Sequence, residues 1–407
     1  MQTKNLNLLV VAVDFLPKVG GISTMVHHLC NALVSNGADV TLLAPSGSYI
    51  PDEFFAKYKL VVDEKSKTNI REGDAAKTED ERIQMFLQGL NEKFHFSRIV
   101  LMHPFYYGFP TLMFSIKSHI PITSVFYGYE LNALLVSRVP FLERINGLSH
   151  SPNSIRQRTF KIIKKSNEIL AISNYTGTLV KRVKNNIVLK ISGCGISQHD
   201  FERELLISPN FDREIRIERR NILNVHNAKQ PMIVFVGRLV NSKNVGLIVN
   251  ALKYLPDVRF TVIGDGPELT SLKNLSEEND VDKQIFWLGE VSEEQKWTYL
   301  RAADVFVLAS QELPSGQVEG FGIVLLEATA AGIPVMAANS GGMVDVVSDN
   351  VNGFLFDPMN SRELAEKIKI LISDDKKSFN FVEKARNQIK TKFNWNTIAS
   401  KIISNWN

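Results

Sequence analysis

Residues 305–335 constrain the fold of this 407-residue chain more than any other stretch, because they read as strand, loop, helix and strand in direct succession. The run 305–309 is short, apolar and β-branched, as in a strand buried on both faces of a parallel sheet. Residues 310–322 are polar and carry Pro314 and three glycines, so they form a loop. Residues 323–331 form a short, nearly all-apolar helix that Gly332 and Pro334 stop. Two carboxylates punctuate this unit, Glu319 on the loop and Glu327 about a turn inside the helix. The helix N-terminus presents the backbone N–H groups of Gly322, Ile323 and Val324, where an anion is favoured. Gly320 and Gly322 let a ligand approach the backbone closely. Ionised carboxylates accept from sugar hydroxyls, and one set in an apolar helix needs a partner. The pattern suggests recognition of a phosphorylated sugar. The bland alternative is a solvated Glu319 and a Glu327 capped by a nearby arginine.

The same alternation continues elsewhere. Residues 7–14 read as a buried strand, followed by a loop with Gly20 and Gly21, a helix to residue 35 and a strand over 39–44. A Gly-rich turn at a strand's carboxyl end is where open α/β sheets bind ligands. The dinucleotide fingerprint G-x-G-x-x-G is absent, which disfavours a nicotinamide oxidoreductase. Residues 46–80 carry no clear pattern and are expected to be loops, with an amphipathic helix over 81–94. His103 follows the strand 97–102, where it serves either a site or a plain core or loop position. The strand 121–126 ends in Tyr127-Gly128-Tyr129-Glu130. Residues 131–151 are apolar enough to close over an acceptor or dip into a membrane surface, or to be an ordinary core helix. Residues 156–165 form a basic amphipathic helix, suited to an anionic surface or to plain solvation.

Residues 200–229 are charged and poor in regular signal, and are expected to link a domain over 1–199 to one over 230–389. The second domain opens with the strand 232–236, then Arg238 and, five residues on, Lys243. Such a pair can grip a diphosphate, the arginine by its planar fork and the lysine as a point charge. Gly264 and Asp265 open a tight turn at a strand's carboxyl edge, and Val291 follows the next strand.

Charge is uneven. Residues 1–190 hold 23 Lys and Arg against 15 Asp and Glu, and the remainder 24 against 28. A basic first half suits an anionic partner, and a membrane leaflet fits better than nucleic acid, for which no motif appears. The two cysteines, Cys30 and Cys194, imply no disulfide framework and a reducing compartment. No secretory signal or transmembrane run is evident, so a cytoplasmic protein, peripheral at most on the inner face of the cell membrane, is expected.

The string Val318-Glu319-Gly320-Phe321-Gly322-Ile323-Val324-Leu325-Leu326-Glu327-Ala328 resembles the E-x7-E motif of family-four retaining glycosyltransferases, in the branch of the phosphatidylinositol mannosyltransferases. The resemblance implies the α/β GT-B fold, two Rossmann-like domains facing each other across a cleft, with a C-terminal helix at about 390–407 crossing back onto the first. It implies transfer of a hexose-type sugar from a GDP- or UDP-linked donor to a hydroxyl of a glycan or lipid-linked acceptor, with no cofactor and no metal. Arg238 and Lys243 would hold the leaving diphosphate, Glu319 the transferring sugar and Glu327 the ribose hydroxyls. Gly20 and Gly21 would lie beside the donor phosphates, and the turn at Val291 would contact the base. The family's His-Gly-x-Glu stands here as Tyr127-Gly128-Tyr129-Glu130, so a phenol replaces an imidazole at the edge of the reacting centre. His103 and Glu130 are placed on the acceptor side. The rival readings are a nucleotide-sugar epimerase of the same fold and a non-catalytic nucleotide-sugar binder at a membrane.

Overall fold

The structure, a computed structural model, describes residues 6–17, 20–52, 54–66, 74–135, 152–208, 212–223 and 227–406. The chain forms two compact units, Met1–Cys194 with Trp395–Asn407, and Gly195–Asn394.

The first unit is a seven-stranded parallel sheet. In chain order its elements are β1 (Asn7–Val11), α1 (Gly21–Ser35), β2 (Asp39–Pro45), β3 (Lys59–Asp63), α2 (Asp74–Phe94), β4 (Arg98–Leu101), α3 (Gly108–Ser118), β5 (Ile122–Phe126), α4 (Tyr129–Leu135), α5 (Pro152–Lys165), β6 (Glu168–Ala171), α6 (Asn174–Val183) and β7 (Leu189–Ile191). The strands lie in the order β3-β2-β1-β4-β5-β6-β7. The central strands are buried along nearly their whole length, as β-branched runs covered on both faces must be. Leu9, Ile99, Leu101, Phe126 and Ile169 from the strands pack with Leu87, Leu112 and Ile162 from the helices.

The second unit contains α7 (Gln198–Ile207), α8 (Arg213–Ile222), β8 (Met232–Val236), α9 (Val245–Leu252), β9 (Arg259–Ile263), α10 (Leu269–Glu278), β10 (Ile285–Gly289), α11 (Glu293–Ala302), β11 (Val305–Leu308), α12 (Ile323–Ala330), β12 (Val335–Ala338), β13 (Phe354–Phe356), α13 (Ser361–Ser373) and α14 (Asp375–Thr391). Its six parallel strands run β10-β9-β8-β11-β12-β13. The last helix, α15 (Trp395–Ile403), belongs to the first unit and packs on α1. In each sheet the winding reverses at one point, between β1 and β4 and between β8 and β11. Loops leaving the carboxyl ends of those strands diverge there and open a crevice.

Two stretches depart from expectation. Residues 46–80 contain β3, an edge strand, and α2 begins at Asp74 rather than at 81. Residues 200–229 are not a bare linker, because α7 and α8 pack into the second unit. The buried positions of α8 are Arg216 and Arg220, so its inward face is cationic and a hydrophobic period cannot reveal it. Arg220 donates to Asp304 at 2.5 Å and to the carbonyl of Ala228 at 2.8 Å, while Asp304 also accepts from the N–H of Met232 at 2.7 Å. The helix α14 occupies Asp375–Thr391. Of the apolar segment 131–151, residues 136–151 lie outside the described residues. Among the described residues no helix is long and apolar enough to cross a membrane.

Candidate active site

The site of the second unit is built where its winding reverses. The loop after β8 carries Arg238 and Lys243, and the loop after β11 carries Glu319. Gln311 donates its N–H to the carbonyl of Ser242 at 2.8 Å, tying the two loops together. Lys243 ends a single 3-10 turn, Asn241–Lys243, which Asn244 closes in the left-handed conformation, φ 52°. Its ammonium donates to Oε2 of Glu319, 76 residues away. Glu319 also accepts from the N–H groups of Phe321 and Gly322. Burial pushes its carboxyl up, but Lys243 and these two N–H groups outweigh burial and hold it below the usual range. The backbone is held as well, since the N–H of Gly342 donates to the carbonyl of Glu319 at 2.9 Å.

Gly322 caps α12 at φ 86°, a conformation that suits glycine. Its N–H is turned to Glu319, so the anion-facing donors of this end are those of Ile323 and Val324 rather than all three. Phe321 is buried edge-on against Phe393, 5.7 Å between centroids, which anchors the loop between Gly320 and Gly322. Arg238 is exposed, and its side chain makes no hydrogen bond or ion pair among the described residues. Gly264 stands at φ 124°, and a Cβ there would lie 2.1 Å from the carbonyl oxygen of Gly237, so only glycine lets these two turns touch. Asp265 is exposed and spends its carboxylate on the N–H of Gly266 at 2.6 Å. The carbonyl of Gly289 accepts from Gly264 at 2.7 Å, which places Val291 beside the same edge.

Glu327 has its expected partner, but it is a lysine. Lys296 of α11 donates to Oε1 of Glu327 at 3.0 Å and pairs with Glu293 at 2.8 Å. Burial raises the Glu327 carboxyl, and Lys296 only partly offsets this. The string Asp280-Val281-Asp282 lies just before β10, at the amino edge of the sheet and away from this site.

The first unit brings a different group of candidates together. His103, after β4, and Tyr127, after β5, sit with ring centroids 6.0 Å apart. Nδ1 of His103 accepts from the N–H of Phe105 at 3.4 Å, so Nε2 carries the proton and donates to the Tyr129 hydroxyl at 2.7 Å. Burial pushes His103 down to about 3, and it is neutral at physiological pH. Among the described residues the buried Tyr127 hydroxyl has no hydrogen-bond partner. Glu130 is fully buried and turned back into its own loop, where Oε1 accepts from the N–H of Tyr127 at 2.5 Å while Oε2 has no partner among the described residues. It braces the turn instead of reaching outward from the edge. Burial raises its carboxyl to about 7 against the pull of the N–H groups of Tyr127, Glu130 and Gly128. Gly20 caps α1 in extended conformation, and neither it nor Gly21 has a steric need for glycine within the unit.

One cluster escaped the sequence. Arg82 of α2 grips Asp63 at the end of β3 with two bonds of 3.0 and 2.7 Å and pairs with Glu79 at 2.6 Å. Tyr106 donates to Glu79 at 2.7 Å. The irregular pattern over 46–80 hid the strand that brings these groups together.

Residues 218–388 match the family model of the glycosyl transferases group 1. The second unit is a glycosyl transferases group 1 domain. Over 182 residues the chain is 31% identical to a GDP-mannose-dependent alpha-(1-6)-phosphatidylinositol monomannoside mannosyltransferase of Mycobacterium tuberculosis, covering 43% of this chain and 46% of that protein. The chain spans about half the length of the curated relatives it matches. Among solved structures, a sucrose-phosphate synthase from Thermosynechococcus elongatus superposes over 98% of both chains with a TM-score of 0.72 at 17% identity. A protein of Anabaena, HepE, in complex with UDP and glucose, superposes over 98% of this chain and 99% of its own with a TM-score of 0.70 at 17% identity. These likenesses establish the fold as GT-B, two Rossmann-like units, and bear out the resemblance to family-four glycosyltransferases with phosphatidylinositol mannosyltransferase relatives.

Proposed function

We propose that this protein is a retaining, metal-independent glycosyltransferase that moves a hexose-type sugar from a GDP- or UDP-linked donor to a hydroxyl of a glycan or lipid-linked acceptor. The observation that carries the proposal is the meeting of Lys243 and Glu319 beside the N-terminus of α12. A cation, a carboxylate and free helix N–H groups at one reversal point suit a sugar diphosphate better than any neutral ligand. Arg238, exposed and unengaged, is placed to take the diphosphate bidentately.

In the reaction the bond from the sugar C1 to the β-phosphate oxygen breaks, and its electron pair leaves with the nucleoside diphosphate. Lys243, Arg238 and the N–H groups of Ile323 and Val324 stabilise that developing charge. Glu319 accepts from hydroxyls of the sugar. The acceptor oxygen bonds to C1 from the face the diphosphate leaves, and its proton passes to the departing phosphate oxygen. Tyr127, with an unused hydroxyl, supplies a hydrogen bond at the first unit's edge, and neutral His103 lies beside it. The named relatives include a GDP-mannose-dependent enzyme, and the HepE complex holds UDP, so both bases stay in the proposal. The exposed Lys161, Lys164, Lys165, Lys181 and Arg182 of α5 and α6 suit peripheral contact with an anionic membrane on the cytoplasmic side.

The test is calorimetric titration with GDP, UDP and ADP without metal, followed by turnover of the matching labelled sugar donors. Preference for one diphosphate and an acceptor-linked product support the proposal. Folded protein that binds none of the three rejects the donor site. Free nucleotide released without an acceptor-linked product points to an epimerase, and binding without turnover to a non-catalytic binder.

A further inference from the structure

Lys296 stands outside every sequence motif. It lies in the first turn of α11, behind the capping box in which Ser292 accepts from Gln295 and Gln295 accepts from Ser292. Its side chain is almost wholly buried, and its ammonium lies 31 residues in sequence from the carboxylate it serves. A lysine is rarely placed so deep without a task for its charge.

Geometry defines the task. Glu327 is one of eight residues in an otherwise uncharged helix, and Lys296 takes its Oε1 at 3.0 Å. Among the described residues Oε2 has no hydrogen bond, so one oxygen is held and the other is left to accept. We propose that Lys296 is a positioning residue for the donor, holding Oε1 of Glu327 so that Oε2 is turned to the vicinal hydroxyls of the nucleotide ribose. The proposal rests on the donor reading of Glu327.

The charges facing Glu327 are few. From α11 come Lys296, which favours the carboxylate, and Glu293, which disfavours it; from α7 comes Asp200, which also disfavours it. The neighbouring strands β11 and β12 carry no charge, and Arg386 of α14 reaches the carbonyls of Thr329 and Ala330 at the far end of α12. Burial disfavours the Glu327 carboxylate, and among the described residues Lys296 is the attractive charge that faces it. Ribose binding through an accepting carboxylate is therefore lost as pH falls, along a limb whose position Lys296 and Glu293 set with opposite signs.

The experiment is calorimetric affinity for whichever of GDP, UDP and ADP binds, measured from about pH 5 to pH 8. Lys296→Gln should move the acid limb upward by about one pH unit, the scale of removing a close opposite charge. Lys296→Arg should return it, and Glu293→Gln should move it downward. Glu327→Gln should weaken binding about tenfold and flatten the limb, the loss of one good hydrogen-bond acceptor. If Glu327→Gln weakens binding while the limb stays in place in the Lys296 and Glu293 variants, the positioning role is overturned and the donor site stands. If Glu327→Gln leaves affinity unchanged, or no diphosphate binds, the donor reading falls and this inference with it. Should Lys296→Gln fail to fold, Lys296→Arg and Glu293→Gln decide the matter, since the first keeps a positive charge at this position and the second leaves the lysine in place.

Discussion

The carboxyl edges of the two sheets are built from opposite materials. The second unit's edge is charged and partly open: Lys243 with Glu319, Lys296 with Glu327, and Arg238 exposed. Where β4 and β5 end, the first unit's edge is aromatic and buried: His103 without a proton to give at Nδ1, Tyr127 with an idle hydroxyl, and Glu130 with its carboxyl raised, the ion pairs of Arg82 lying apart at the end of β3. Charges that wait for an anion stay ionised if they are paired or hydrated beforehand. Groups that meet a neutral hydroxyl need only a fixed direction and little water, which burial supplies. Under the proposed function, the difference teaches that each edge's electrostatics, more than its topology, would separate a diphosphate site from a hydroxyl site.

The sharpest way to break this comparison is Glu319→Ala. Transfer should fall by about three orders of magnitude, the scale of removing a preorganised electrostatic group from a reacting centre. Thermal stability should barely change, because Lys243 is open enough to be rehydrated. Near-normal turnover of a labelled donor in this variant would falsify the site. Next comes Asp304→Ala, which leaves Arg220 buried with its charge unpaired. It should cost the second unit about 3–5 kcal/mol in urea unfolding, whereas a residue that only met a flexible linker would cost almost nothing.

Glu130→Gln tests the aromatic edge. The folded carboxyl, at about 7, lies above its ordinary value of 4.5. The wild type therefore has an extra stabilisation below about pH 4.5 that disappears as pH rises through about 7. The variant should flatten that slope, and unfolding at pH 5 and pH 8 should differ by on the order of 1–3 kcal/mol less than in the wild type. An unchanged slope means that Glu130 ionises normally and that the first edge is charged after all. The smallest effect is expected from Tyr127→Phe. Loss of an unpartnered hydroxyl should leave stability unchanged and lower turnover about tenfold, the worth of one hydrogen bond to substrate. Unchanged turnover would leave the phenol as packing alone.

Much of the fold could be read from apolar runs bounded by glycine and proline, because strands buried on both faces need continuous β-branched sequence. The reading failed where burial is polar. In α8 the inward residues are arginines, and in α2 and β3 the organising contacts are Arg82 with Asp63 and Glu79. Polar burial has no periodic hydrophobic signature; it is revealed only by the partner. Arg238 stood out as a candidate because it follows Gly237 at the end of β8, Glu319 because it precedes Gly320, and Lys243 only by its spacing from Arg238. Glu130 was legible as a residue and misplaced as an outward group, since its direction depends on a turn closed by the N–H of Tyr127.

By itself, then, the sequence determined the alternation of strands and helices, the two sheets it implies, and the loops that carry the chemistry. Those are local properties, set within windows of a few residues by side-chain shape and backbone freedom. Tertiary structure alone decided the pairings: Lys243 with Glu319 across 76 positions, Lys296 with Glu327 across 31, and Arg220 with Asp304 across 84. A buried charge requires a partner, but any of many cations satisfies that requirement on paper. Strand order and the reversal of winding between β8 and β11 bring one of them within reach.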